Sequence, residues 1–251
     1  MEGLIRHYDM LAGIDGHRVR WTPNGRPDAW PTDFYYDFAF KPLALASFAQ
    51  SLIVLCEDAI YRIDGNVATD LSLSKTRAEN GCIAAGSVQK THAGLVYLSN
   101  MGLMVFDGMD ARPLTASKIP GQMFLGTSNP TSIGFPIYPS QFSYNYAYLT
   151  MKDGIKGSME NALTNAPTNP VEGPIKAIGS FYVDGKYILY WKAGYTNYVA
   201  NTGICVDLQS PGMPITTLSM KIRDAFVDSN EQAYVLLDGA PAPTYVEITA
   251  P

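Results

Sequence analysis

SLIVLCEDAIYRIDG, residues 51–65, returns 43 positions later as GLVYLSNMGLMVFDG, residues 94–108. The two stretches share Leu52/Leu95, Leu55/Leu98 and a closing Asp64-Gly65/Asp107-Gly108, and each sets an apolar run on either side of a small break. Apolar runs of this length, bounded by turn residues, read as strands and not as helices. A hairpin made from two of them has a greasy face that it cannot hide by itself. A chain that lays the same unit down repeatedly must therefore stack its copies, which confines it to repeat architectures.

Other strand candidates extend the series: HRVRWT (17–22), YAYLTM (146–151), KYILYW (186–191) and QAYVLL (232–237). With Arg18, Leu52, Leu95, Ala147, Tyr187 and Ala233 as markers, the spacings are 34, 43, 52, 40 and 46 residues. A period near 40–50 is that of a propeller blade, a small four-stranded antiparallel sheet. Six Asp-Gly dipeptides, at Asp15, Asp64, Asp107, Asp153, Asp184 and Asp238, suit type I′ hairpin turns. FYVDGKYILYW (181–191) and FVDSNEQAYVLLDG (226–239) are the clearest hairpins. The expected fold is all-β: one irregular β-propeller of about five to six blades over residues 1–251, with a β-sandwich as the alternative. Long loop excursions are expected near 116–141 and 157–175, with a short helix near Gly157–Leu163. The 22 Gly, 17 Pro and 16 Tyr agree with many short strands.

A formal charge of −5 argues against a general phosphate-gripping surface, which needs clustered Lys and Arg. Cys56 and Cys205 sit in the apolar runs SLIVLC and GICVDL, where a reduced buried thiol is ordinary, so a reducing cytoplasm is the expected place of assembly. MEGLIRHYDM carries charges where a signal peptide would have its apolar core, and no apolar run approaches a membrane span, so neither classical secretion nor membrane insertion is expected.

Reactive motifs are scarce. His7, His17 and His92 are far apart and no Cys-x₂-Cys exists, so no metal site is expected. Gly-x-Ser-x-Gly, Walker and dinucleotide-binding patterns are missing, and no cofactor is expected. A propeller glycosidase would need two or three carboxylates converging at a fixed separation. Asp58, Asp64, Asp107, Asp184, Asp207, Asp224 and Asp238 are numerous enough, but most sit in Asp-Gly turns or at strand ends, where backbone hydrogen bonding accounts for them. No catalytic residue is assigned, and the chain is read as a non-enzyme. Three Tyr-rich segments, FYYDF (34–38), FSYNYAY (142–148) and YTNY (195–198), supply interface candidates: Tyr35, Tyr36, Tyr144, Tyr195 and Tyr198.

HRVRWTPNGRPDAWPTDF (17–34) is the most distinctive stretch: a strand ending at Trp21 passes into a Pro-pinned turn, with Trp30-Pro31 setting an extended exit. It resembles a segment of bacteriophage virion proteins, where it is followed by hairpins like SLIVLCEDAIYRIDG and GLVYLSNMGLMVFDGMDARPLT in the same order. The resemblance covers roughly residues 13–116 and is to the tail tube and nozzle proteins of short-tailed phages. It implies a structural part of the virion, assembled in the host cytoplasm as a ring around the DNA exit channel. The implied partners are further copies of the chain, as a homo-hexamer, then portal or adaptor and fibre proteins, and DNA passing without sequence-specific binding. An adaptor, collar or fibre-docking protein fits the same pattern. A carbohydrate- or host-receptor-binding propeller of a tail fibre is the alternative from the Tyr-rich segments, and a propeller glycosidase is a third.

Overall fold

Strand Ser51–Cys56 is buried along its whole length, and its side chains part by strict alternation. Leu52, Val54 and Cys56 enter one apolar cluster, whereas Ile53 and Leu55 enter another. A strand greasy on both faces must lie in a sheet covered on both sides, and that requirement organises the surrounding chain. The structure is a computed structural model; it describes residues 1–99, 101–114, 178–191, 203–218, 220, 222–237 and 245–248. The described residues are all-β apart from one 3-10 turn at Ala85–Ser87.

Among the described residues five small antiparallel sheets follow one another, and in each the neighbouring strands are consecutive. The first holds β1 (Glu2–His7), β2 (Met10–Asp15), β3 (Arg18–Trp21) and β4 (Tyr35–Asp37). The second holds β5 (Pro42–Phe48), β6 (Ser51–Cys56), β7 (Ile60–Asp64) and β8 (Ser72–Lys75). The third holds β9 (Gln89–Thr91), β10 (Gly94–Ser99), β11 (Gly102–Phe106) and β12 (Ala111–Pro113). The fourth holds β13 (Ile178–Val183), β14 (Lys186–Trp191), β15 (Gly203–Asp207) and β16 (Ile215–Leu218). The fifth, with three strands among the described residues, holds β17 (Ile222–Val227), β18 (Ala233–Leu237) and β19 (Tyr245–Ile248). The two copies of the opening repeat are thus β6–β7 and β10–β11, the middle hairpins of consecutive sheets.

One spacing needs correction. HRVRWT forms β3, a third strand, whereas SLIVLC, GLVYLS, KYILYW and QAYVLL all supply second strands. The true counterpart is β2, whose first residue Met10 lies 41 positions before Ser51, close to the 43 that separate Ser51 from Gly94. MLAGID escaped notice because Gly13 and Asp15 interrupt its apolar run. The stretch YAYLTM with its marker Ala147, the expected helix near 157–163 and the loop excursions lie outside the described residues.

The chain divides into two compact units. In the first, comprising Met1–Lys90, Gly94–Ser99 and Leu103–Leu114, the second sheet packs between the other two. Met10, Ala12, Ile14, Val19 and Trp21 meet Leu45, Leu52, Val54 and Ile63 on one side. Ala44, Ala46, Ile53, Leu55 and Ile60 meet Leu95, Tyr97, Met104 and Phe106 on the other. Each large side chain buried this way contributes about 1.5–3 kcal/mol. In the second unit, Phe181, Ile188 and Tyr190 pack on Ile222, Ala233 and Val235. Tyr187 and Leu189, pointing to the other face of β14, are buried as well. The last strand of the second sheet, SLSK of β8, is polar and mostly exposed, which blunts an otherwise adhesive sheet edge.

The Asp-Gly dipeptides divide by geometry. Asp184 (φ 53°) and Gly185 (φ 73°) close a two-residue loop between Val183 and Lys186 with both residues left-handed, the expected type I′ turn. Asp15-Gly16 is different: the loop between Asp15 and Arg18 is Gly16-His17, and only Gly16 is left-handed. Asp107 opens a four-residue turn by accepting bonds from the Met109 and Asp110 amides, each at 2.9 Å. Asp64 stands before a longer connection to Ser72. Only the first therefore needs positive φ at aspartate. Asp153 and Asp238 lie outside the described residues.

Candidate functional site

A turn made of unsuited residues marks the most unusual surface of the first unit. Ala49 (φ 50°) and Gln50 (φ 63°) join Phe48 to Ser51 as a two-residue turn with both φ positive, a conformation that favours Asn-Gly. Tyr8 (φ 50°), in the turn after β1, is left-handed too, and its hydroxyl donates to the Gln50 carbonyl at 3.3 Å. Three of the six described non-glycine residues with positive φ thus meet here, each strained by about 1–2 kcal/mol. Replacing both turn residues, Ala49→Asn with Gln50→Gly, is expected to raise the melting temperature by about 3 °C, as relief of about 1 kcal/mol would do in a chain of this size. An unchanged or lowered midpoint would show that the turn is held by contacts outweighing its backbone strain.

Beside this turn lies an open cleft of about 460 Å³, lined by Tyr8, Ala49, Gln50, Ser51, Arg62, Asp64, Gly65 and Asn66. Its polar centre is built on the β6–β7 ladder. Ser51 pairs with Asp64 and Ile53 with Arg62, so the three polar side chains share one face at the strand ends. Ser51 Oγ donates to Asp64 Oδ1 at 2.5 Å, and Arg62 Nε donates to the same oxygen at 2.6 Å. Arg62 Nη1 also reaches Met109 Sδ at 3.3 Å. Burial alone would raise the Asp64 carboxyl, but the bonds from Ser51 and Arg62, with the guanidinium charge, hold it below the usual carboxylate range. It is an oriented, ionised carboxylate whose second oxygen takes no hydrogen bond from the described residues.

Behind the cleft sits His7, only 2% exposed. Its Nδ1 meets Ser47 Oγ at 2.9 Å, joining β1 of the first sheet to β5 of the second. Nε2 lies against the Gly65 backbone without a hydrogen bond of good geometry. Burial pushes the imidazole below its ordinary pKa, opposed by the Gly65 carbonyl and the Asp64 charge. Because the folded pKa is the lower one, the unfolded chain takes up the proton first. His7 stability is complete above the unfolded value, near pH 6.5, and is lost as pH falls from there through the folded value. Resistance to denaturant should therefore fall as pH drops below about 6.5 in the native protein, and His7→Gln should flatten that slope. An equal slope in both proteins would exclude His7 as its source.

The Tyr interface candidates fare differently. Tyr36 is half-buried against the first apolar cluster, its ring centroid 5.1 Å from Trp21, and its hydroxyl donates to the Leu71 carbonyl at 2.5 Å, tying the first sheet to the second. Tyr35 lies under the Arg18 guanidinium at 4.4 Å, and Arg18 in turn pairs with Asp37 at 2.7 Å. The cation–π contact and ion pair make Tyr35 part of an ordered polar surface. Tyr144, Tyr195 and Tyr198 lie outside the described residues.

Several aspartates perform the expected turn bonding: Asp207 accepts from the Gln209 and Ser210 amides, and Asp228 from those of Asn230 and Gln232. Asp64, read from sequence as one more turn residue, is instead the hub of the cleft. A signal for it was present in the repeat. The copies differ in polarity at several positions, and among them are Ser51/Gly94 and Arg62/Val105, the two partners of that carboxylate. None of the three cysteines forms a disulfide, and burial pushes the Cys82 thiol up to about 12, so it is chemically inert near neutral pH. Among the described residues no group of three or more His, Cys, Asp or Glu could hold a metal ion, and no helix is long and apolar enough to cross a membrane. No protein-family model matches the chain, and a search of curated proteins gives no match.

Proposed function

We propose that the chain is a structural protein of a bacteriophage tail, part of the tail tube or nozzle or of an adaptor ring around the DNA exit channel. What carries the reading is a run of small up-and-down sheets joined through apolar faces within each unit, beginning in the stretch that resembles short-tailed phage nozzle proteins. On this reading the sheets are blades of an irregular β-propeller of about five to six blades. Such a body is rigid because each sheet is covered by its neighbours, and it offers loop ends for assembly. Copies would meet through heterologous interfaces that close into a ring, with sixfold symmetry expected, beside portal or adaptor and fibre proteins. An acidic protein suits a conduit, since Lys and Arg on the phosphates would hold DNA back during ejection. Its role is mechanical, without catalysis or cofactor.

Negative-stain microscopy of the purified protein, with mass spectrometry of purified virions, tests the proposal. Rings and incorporation into particles are expected. A protein found only as free monomer in infected cells, and never in particles, would end it.

A further inference from the structure

We propose that the cleft beside the Ala49-Gln50 turn binds uncharged sugar residues at the end of a glycan. The inference stands on this site alone and does not depend on the virion reading. A volume of about 460 Å³ lies within the usual range for small-molecule sites, and the open mouth lets the rest of a glycan run outward. The chemistry of the lining selects the ligand class. Asp64 presents a fixed carboxylate with an oxygen free of described partners, and Arg62, two residues earlier on β7, presents the Nη2 that neither Asp64 nor Met109 takes. The amides of Gln50 and Asn66, both exposed, add donors and acceptors at the rim. Planar groups of both polarities match adjacent sugar hydroxyls, each of which donates and accepts.

Tyr8 completes the set. It is 44% exposed, giving the apolar C–H face of a sugar ring something to stack on, and its hydroxyl is tied to the Gln50 carbonyl. An anionic ligand such as a free phosphate is disfavoured by the Asp64 carboxylate within the cleft and by the chain's net charge of −5. A simple cation is disfavoured by Arg62. Tyr8 and Gln50 keep a left-handed backbone where glycine or asparagine would relax it, so the turns that shape the cleft are held against a strain cost.

The test is a printed array of neutral, sialylated and sulfated oligosaccharides, with the full chain as probe and titration calorimetry on any neutral hit. Tyr8→Gly removes the ring and relieves its backbone, and Asn66→Ala removes an exposed amide that no described contact uses, so both variants should stay folded. Each is expected to weaken binding about tenfold or more, the loss of one good contact, while Lys75→Ala on the exposed strand β8 leaves it intact. An array without neutral hits, binding confined to the charged glycans, or neutral binding undiminished in both cleft variants would overturn the proposal. None of those outcomes bears on whether the protein enters virions, so the two readings fail separately.

Discussion

Gly81→Ala is expected to destabilise the first unit by roughly 3 kcal/mol or more, beyond the ordinary range for a single added methyl group. Gly81 is buried in the segment between the second and third sheets. A Cβ there would stand 2.2 Å from the Cys56 carbonyl oxygen and 2.4 Å from the Glu57 carbonyl carbon. Both are backbone atoms and cannot swing aside as a side chain would. The neighbourhood is tied from several directions. Cys82 donates its amide to the Cys56 carbonyl at 2.8 Å, Ile83 donates to Leu98 at 2.9 Å, and the Tyr97 hydroxyl donates to the Asn80 carbonyl at 2.8 Å. The segment thus bonds to β6 on one side and β10 on the other, and moving it to relieve the clash breaks one set of bonds. Thermal unfolding should show a midpoint lowered by about 6 °C or more. Gly25→Ala is the control: its Cβ would meet nothing within 4 Å, so only the left-handed backbone (φ 68°) is penalised, at about 1 kcal/mol. Equal effects from the two substitutions would refute the steric argument.

Trp21→Ala should cost about 3–5 kcal/mol, the loss expected for a large ring removed from a packed core. The indole is 5% exposed and packs with Phe34 and Tyr36 in the cluster joining the first two sheets. Its Nε1 donates to the Ala68 carbonyl at 2.9 Å, so the ring also holds the β7–β8 connection. That connection has a second tether: Asn24 donates to the Asn66 carbonyl at 2.7 Å and accepts from the Ala68 amide at 2.8 Å. Trp21→Phe keeps an aromatic ring but loses the donor, and should cost about 1–3 kcal/mol. Denaturant unfolding of the two variants separates packing from hydrogen bonding. A loss below about 1 kcal/mol for Trp21→Ala would mean that the first two sheets do not depend on this cluster.

The strands that sequence alone reveals best are those buried on both faces. SLIVLC, GLVYLS and KYILYW coincide residue for residue with β6, β10 and β14, because a strand covered on two sides keeps polar residues to its ends and leaves its run unbroken. The edge strands β8, β9 and β12, with sequences SLSK, QKT and ARP, are indistinct for the complementary reason. Short and mostly polar, they are strands only because a neighbour's backbone is there to pair with. The slip at HRVRWT has a similar origin, since β3 and β2 are both partly buried and the more regular of the two drew the assignment.

The cleft was less legible. Ser51 and Asp64 are 13 residues apart, His7 and Ser47 are 40, and Asn24 and Asn66 are 42. Local periodicity carries no information about such pairs. Hydrophobic alternation acts between neighbours in the chain, so the amino-acid sequence by itself determined an all-β protein made of repeated hairpins that must cover one another. Which polar groups converge, and which turns are held in strained backbone, follows from sheet register and face-to-face packing between distant segments, and only the tertiary structure decided those.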